Sequence, residues 1–218
     1  MAKKRRRKKK RSSHKAVWIA IIVFLLILVT AAIIIALNWK KIVKKAEDLL
    51  PSSFTYPTDY EEYVLKYSKE YNVDPVLIFS IIKTESGFDP KATSDVGARG
   101  LMQIMPEAFN WLKFHMNDNR DITFDSMYDP QTNIQYGTYF LSFLMQRYDN
   151  SIELTAAAYH GGFGAVDGWL EKGIVKKGAF RIEDIPKEND MTAEYVRRIT
   201  KAYSRYKEVL KEKKIIKN

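Results

Sequence analysis

A continuous apolar run near the N-terminus constrains this chain more than any other feature. From Ala16 to Leu37, a stretch of 22 residues, every side chain is apolar except Thr30. A helix of that length reaches roughly 33 Å at about 1.5 Å per residue, which is enough to cross a hydrocarbon core of about 30 Å. A core helix rarely stays apolar on every face for so long, and the apolar part of a cleavable signal peptide, the main alternative, usually has about 7 to 15 residues. The run therefore predicts a single transmembrane helix over residues 16–39.

The charge of the chain is concentrated in front of this run. Residues 1–15 hold ten Lys and Arg and no acidic residue, which leaves 26 basic against 26 acidic residues in the remainder. Positive flanks stay on the cytoplasmic side, so we expect a basic cytoplasmic tail, with the rest of the chain outside the membrane. The tail could also hold anionic lipids or, alternatively, nucleic acid, but the balanced remainder predicts no nucleic-acid partner. The chain has no cysteine, which excludes disulfides and thiolate catalysis.

The remainder is predicted to be mostly helical. A charged stretch followed by Pro, Ser and Thr predicts a stalk over residues 40–57, and apolar residues at helical spacing predict a helical domain over residues 58–210, followed by a basic tail over residues 211–218. The segment Asp89–Gln103, which contains two Gly, two Asp and one Ser, is the one region expected to form a small hairpin or an irregular loop. The expected helices include Val76–Ile82, Pro106–Phe114, Ile134–Tyr148, Leu154–Tyr159, Val166–Lys172 and Ala193–Leu210.

Glu85 follows the most apolar of these helices. Asp74 can cap that helix and Pro75 suits its first position. A carboxyl group at a helix C-terminus meets the negative end of the helix dipole, and apolar neighbours limit its hydration, so both effects should raise the pKa of Glu85. Such a group can donate a proton to a glycosidic oxygen and accept one in the next step. Taken alone, a solvated Glu at a helix end would be the simpler interpretation.

Three motifs together resemble the lytic transglycosylases with a lysozyme-like fold. The first runs from Glu85-Ser86-Gly87 through Gly100-Leu101-Met102-Gln103 to Pro106. The block Ala157–Gly162 and the block Thr192–Val196 follow in the order and at the spacing of that family. The resemblance covers roughly residues 56–206.

The resemblance implies a fold class and a reaction. The domain is expected to be mostly α, a helical domain of the goose-type lysozyme class. The reaction is cleavage of the β-1,4 bond between N-acetylmuramic acid and N-acetylglucosamine in peptidoglycan, with the muramoyl C6 hydroxyl attacking in place of water. Glu85 would protonate the leaving oxygen and then deprotonate that hydroxyl, which leaves a 1,6-anhydromuramoyl end. The implied partners are glycan strands and, through the N-terminal helix, the bacterial cell membrane; no cofactor or metal is expected.

The resemblance also assigns roles to individual residues. Tyr195 matches the tyrosine that orients the catalytic Glu, whereas His160 stands where the family usually has Asn. Without the motifs, Met102 and Tyr159 would be read as core residues, and Ser94 and Gln103 as loop residues. The residues implied to bind substrate are Ser94, Met102, Gln103, Tyr159 and His160.

Two other functions remain open. A hydrolytic muramidase would usually need a second carboxylate, for which Asp89, Asp95 and Asp129 are the candidates, although two of them precede a proline and suit turns or helix starts. The other alternative is a protein that binds peptidoglycan without cutting it, but the presence of both Glu85 and Tyr195 argues against it.

Overall fold

The computed structural model describes the backbone of residues 2–49 and 55–216, and the side chains of residues 16–216 except 40, 44 and 46–54. The side chains of the basic tail, residues 50–54 of the expected stalk and residues 217–218 lie outside the described part. The chain divides into two compact units, Met1–Pro51 and Ser52–Asn218.

The first unit is a single long helix, α1, from Ala2 to Leu49. Its segment Ala16–Trp39 has a mean hydropathy of 3.4 over its most apolar window, and none of that window is buried. The segment is long and apolar enough to cross a membrane, and it coincides with the span predicted from the sequence. The helix also continues through the basic tail and the first half of the expected stalk.

The described part of the second unit contains seven α-helices, as expected for a mostly helical domain, and no strand, so the small hairpin that the sequence left open is not seen there. Three short 3-10 helices lie in the connections, at Phe124–Tyr128, Ile182–Asp184 and Lys187–Asn189. The α-helices are α2 (Glu61–Tyr71), α3 (Pro75–Glu85), α4 (Pro106–His115), α5 (Pro130–Arg147), α6 (Ile152–Gly161), α7 (Phe163–Glu171) and α8 (Asp190–Glu212).

Three helices begin at residues whose side chains cap them. The Asp74 carboxylate accepts a hydrogen bond from the Val76 amide at 2.9 Å, and the Asp129 carboxylate accepts one from the Thr132 amide at 2.8 Å. Ser151 does the same at the start of α6. These contacts satisfy amides that have no partner within the helix. Several helices therefore start a few residues before the first position that the apolar spacing indicated.

Helix α3 lies in the core and is bonded to α8 near both of its ends. Residues Val76–Ile82 are all buried. The Tyr203 hydroxyl donates to the Asp74 carboxylate at 2.5 Å, where α3 begins, and the Arg198 guanidinium donates to the Thr84 carbonyl at 2.7 Å, where α3 ends. The two helices therefore run antiparallel, and α8 is hydrogen-bonded to both ends of α3.

The segment between α3 and α4 is an irregular loop, as expected for Asp89–Gln103. Isolated bridges join Arg99 to Thr93 and to Ile104, but they do not extend into strands in this described segment. The loop is tied to the end of α3 because the Ser86 hydroxyl donates to the Leu101 carbonyl at 2.8 Å.

Asn133 of α5 holds the same loop from the other side. Its side-chain oxygen accepts from the Met102 amide at 2.8 Å, and its nitrogen donates to the carbonyls of Arg99 and Met127 at 2.9 and 2.8 Å. At Gly100, where φ is +74°, an added Cβ would lie 2.0 Å from the Met127 carbonyl oxygen, so only glycine fits there. The buried amide thus fixes the backbone that lies beside the end of α3.

Candidate active site

Glu85 is the last residue of α3, and its half-buried carboxyl group meets α8. The Tyr195 hydroxyl donates a hydrogen bond to Glu85 Oε1 at 2.6 Å. Burial raises the pKa of Glu85 to about 7, against the opposing effects of this hydrogen bond and of the positive charge of Arg198. The carboxyl group is therefore largely protonated just below neutral pH and can also ionise near it.

Arg198 lies one turn beyond Tyr195 on α8, so both side chains reach the end of α3. Its bond to the Thr84 carbonyl places a cation at the C-terminal, negative end of the α3 dipole. Arg198 lies outside the family motifs, the last of which ends at Val196. The three-residue spacing from Tyr195 was the available signal, because residues three apart share a helix face.

His160 lies beside the same pair. Its Nδ1 atom is 3.1 Å from the Thr192 hydroxyl, and its ring stacks on the Tyr195 ring with a centroid distance of 4.7 Å. Partial desolvation of the ring, with a smaller effect of the Arg198 charge, lowers the pKa of His160. The imidazole is therefore neutral near neutral pH and can both donate and accept.

Tyr159 connects α6 to the loop. Its hydroxyl donates to the Met102 carbonyl at 2.7 Å. Burial, and then the charge of Glu85, raise the pKa of Tyr159 well above its usual value. Tyr159 therefore stays a neutral donor beside the carboxyl group.

The Met102 side chain, which the resemblance places under a sugar, lies in the core. The side chain is fully buried, and an added Cβ at Gly137 of α5 would lie 2.4 Å from its sulfur. Because the absence of a side chain at position 137 makes room for it, Met102 anchors the loop in the core. Only its carbonyl takes part in contacts with the site, through Tyr159.

Ser94 and Gln103 are half-buried residues of the loop. The Ser94 hydroxyl accepts from the Ala98 amide at 2.9 Å, which closes a turn. Gln103 has a φ of +48°, and its side-chain nitrogen donates to the Gly100 carbonyl at 3.0 Å and to the Ala92 carbonyl at 3.2 Å. Both side chains thus shape the loop, and the structure does not bond either of them directly to Glu85.

The three candidates for a second carboxylate either are hydrogen-bonded to backbone amides or lie exposed in the loop. Asp89 accepts from the Lys91 amide at 2.8 Å, and Asp129 caps α5. Asp95 is exposed near the tip of the loop. Within the described residues, no group of three or more His, Asp or Glu side chains is arranged to hold a metal ion.

The family can be assigned from the sequence match. The profile described as the transglycosylase SLT domain matches residues 62–179, which is more than half of the chain. The chain belongs to this family. The membership predicted from the three motifs is therefore confirmed.

Relatives of this SLT domain include soluble and membrane-bound proteins. The soluble lytic murein transglycosylase of Salmonella typhimurium is 34% identical over 155 residues, covering 69% of this chain and 23% of that protein. Membrane-bound lytic murein transglycosylase C of Actinobacillus succinogenes is 35% identical over 115 residues, covering 49% of this chain and 32% of that protein. The chain thus spans only about a quarter to a third of these relatives. Together with the apolar helix, the membrane-bound relative suggests association with a membrane.

A solved structure shares the fold of the SLT domain. The crystal structure of the 70 kDa soluble lytic transglycosylase from Escherichia coli superposes with a TM-score of 0.65 at 28% identity, covering 71% of this chain and 25% of that one. The expectation of a mostly helical, lysozyme-like domain is confirmed by this likeness.

Proposed function

We propose that the chain is a peptidoglycan lytic transglycosylase that uses Glu85 as its single acid and base. The observation that carries the proposal is the Glu85 carboxyl group itself, which has a pKa of about 7 and a hydrogen bond of 2.6 Å from Tyr195. A group with that pKa can give up a proton and take one back within one catalytic cycle. Its location in an SLT domain makes the β-1,4 bond between N-acetylmuramic acid and N-acetylglucosamine the proposed target.

In the first step, the Glu85 proton passes to the bridging oxygen as the bond from that oxygen to the muramoyl C1 breaks. The N-acetylglucosamine unit leaves with a free C4 hydroxyl, and Glu85 becomes a carboxylate. Tyr195 donates to this carboxylate, and Arg198 places a positive charge near it, so both groups stabilise the ionised form. The neutral donor Tyr159 adds no competing negative charge.

In the second step, the ionised Glu85 takes the proton of the muramoyl C6 hydroxyl while that oxygen bonds to C1. The product carries a 1,6-anhydro ring, and Glu85 recovers its proton. Because the nucleophile is part of the same sugar, the step needs correct orientation more than a second carboxylate to activate water. The helix-capping and turn roles of Asp129 and Asp89 are consistent with a site that has one carboxylate.

We assign substrate contacts to the side chains that border Glu85. His160 is exposed, neutral near pH 7 and stacked on Tyr195, so it can bond a sugar hydroxyl or acetamide in place of the usual Asn. Tyr159 is half-buried and can line the same subsite. Ser94 and Gln103 are proposed to act mainly through the shape of the loop.

The proposal also includes a topology. Residues 1–15 would lie in the cytoplasm, residues 16–39 would cross the membrane once, and the SLT domain would face the cell wall. Reporter fusions at residue 57 and at the C-terminus should be active only for a reporter that works outside the cytoplasm. Activity of a cytoplasmic reporter at either site would contradict this orientation.

The reaction can be tested on purified peptidoglycan with the full chain in detergent. Mass spectrometry of the released muropeptides should show 1,6-anhydromuramoyl ends, and the Glu85→Gln protein should release none. Reducing-end products would instead indicate a hydrolytic muramidase. Binding of peptidoglycan without any release by the wild-type chain would indicate a non-catalytic binding protein.

A further inference from the structure

An open cavity of about 430 Å³ surrounds an exposed aromatic ring at the end of α4. Phe114 is 77% exposed, more than any other phenylalanine in the described part of the second unit. A single exposed apolar residue needs no explanation, but here the ring lies on the wall of a cavity. The lining residues are Asn110, Lys113, Phe114, Asn117, Asp118 and Asn119.

The uncharged polar side chains that line the cavity are amides, and its two charged side chains are hydrogen-bonded to other groups. Asp118 is bonded to Arg120 and to the Tyr136 hydroxyl, and Lys113 donates to the Ile122 carbonyl at 3.1 Å. The remaining polar side chains are carboxamides, each of which can donate and accept. The three exposed carboxamides are those of Asn110, Asn117 and Asn119.

An aromatic ring beside exposed amides matches the chemistry of an N-acetylhexosamine. The C–H groups on one face of the sugar pack against the negative face of a ring, and its hydroxyl and acetamide groups exchange hydrogen bonds with amides. The lining is uncharged apart from the partnered Lys113 and Asp118, so it has no evident selectivity for an ionic ligand.

A run of ring contacts connects this cavity to the candidate active site. Tyr159 lies 5.4 Å from Phe140, and Phe140 lies 6.1 Å from Trp111, both measured between ring centroids. Trp111 stacks on His115 at 3.9 Å, and His115 lies 5.3 Å from Phe114. Apart from Phe114 and His115, which are exposed, these rings are half-buried. Ring contacts with centroid distances of 6.1 Å or less therefore link Tyr159 to Phe114.

We propose that the Phe114 cavity is a distal binding site for N-acetylhexosamine units of the same glycan strand whose bond is cleaved at Glu85. The occupant follows from the run of ring contacts that links Phe114 to Tyr159 in the candidate active site and from the amide lining of the cavity. This inference rests on the proposed function, because it takes the ligand at Glu85 to be a β-1,4 glycan. The distal site would favour long strands over short fragments.

The test measures affinity for β-1,4-linked N-acetylglucosamine oligomers by calorimetry, with the full chain in detergent. All proteins carry Glu85→Gln so that no oligomer is cut. Adding Phe114→Ala should weaken hexamer binding about three- to tenfold and leave trimer binding unchanged, since one ring contact contributes about that much. Phe114→Tyr should restore the hexamer affinity. Phe114 is exposed, so its removal should not unfold the domain, and Ile174→Ala, at another exposed apolar residue, is the matched control.

Each other outcome has a defined meaning. Equal hexamer affinity with and without Phe114→Ala would overturn the distal site while leaving the proposed function intact. Equal weakening of trimer and hexamer would also overturn it, because the effect would then lie in the shared site near Glu85. If the parent protein binds neither oligomer, the proposed function and the distal site both fail.

Discussion

Opposing effects set the pKa of the Glu85 carboxyl group at about 7. Burial favours the protonated form, whereas the Tyr195 hydroxyl and the Arg198 charge favour the ionised form. Since Arg198 is exposed, solvent screens its charge, and its contribution should be the easiest of the three to change without disturbing the fold.

Replacing Arg198 with Gln should raise the pKa of Glu85, because a positive charge that stabilises the carboxylate is lost. The basic limb of the pH profile of kcat/KM, where the acid loses its proton, should therefore move to higher pH. At pH 5 the rate should change by less than about fivefold, as expected for one exposed charge. Arg198→Lys should keep the limb close to its wild-type position. If the basic limb does not move in Arg198→Gln, the charge of Arg198 has no effect on the pKa of Glu85.

The sequence predicted some of these residues and missed others for identifiable reasons. The Glu85 and Tyr195 pair lies 110 positions apart in the chain, and only the family motifs could relate them before the structure was known. The position of the Met102 side chain could not be predicted, because the space for it comes from Gly137, on a different helix. Arg198 and Ser86 bond to the backbone carbonyls of Thr84 and Leu101, and these partners could not be predicted from the sequence.

At the scale of elements, the loop beside Glu85 depends on one side chain of α5. Asn133 is fully buried and makes three hydrogen bonds to backbone atoms, two of them to the loop itself. Removal of this side chain would leave three backbone groups without a hydrogen bond. Such a loss is costly because buried groups cannot bond to water instead.

Asn133→Leu should therefore destabilise the protein by about 3 kcal/mol or more, the sum expected for several unsatisfied buried groups. Unfolding by urea, followed by near-ultraviolet circular dichroism, would measure the change. The matched control is Gln131→Leu on the same helix, which loses one half-buried bond to the Tyr67 hydroxyl and should cost less than about 1.5 kcal/mol. Equal effects of the two substitutions would contradict the special role of Asn133.

The helices themselves were predictable from apolar spacing, but not all of their ends: Pro75 and Pro106 marked the starts of α3 and α4, whereas the start of α5 was missed. Spacing shows which residues face the core, whereas α5 and α6 begin at polar capping residues that precede the first core-facing position. For α5 the spacing indicated a start at Ile134, and the capping side chain is Asp129. The irregular path of the loop depends on tertiary bonds from Asn133, so composition could indicate only that it would be irregular.

At the scale of the whole molecule, the buried acid makes stability depend on pH. The folded pKa of Glu85, about 7, lies above its ordinary value of 4.5. The stability that the protonated group supports is therefore complete below pH 4.5 and is lost as the pH rises through 7. Ionisation of Glu85 therefore lowers the free energy of unfolding of the whole domain.

Glu85→Gln should remove this dependence, because the amide cannot ionise. Between pH 4.5 and pH 8, the free energy of unfolding of the variant should rise by about 2 kcal/mol relative to that of the wild type, after allowance for partial exposure of the group. Thermal unfolding across this pH range would measure the difference. Glu107→Gln, at an exposed glutamate, should follow the wild-type curve. If Glu85→Gln also follows that curve, Glu85 does not have a raised pKa.

The bonds between α3 and α8 restrict where the chain can change length. The Tyr203 hydroxyl bonds Asp74, the residue that caps the start of α3, and the Tyr195 hydroxyl bonds Glu85, its last residue. One inserted residue would turn everything beyond it by about 100° and advance it by about 1.5 Å, so these pairs could not form together. Insertions and deletions in related chains should therefore be absent from α3 and from the first half of α8, and should occur in connections such as residues 172–181.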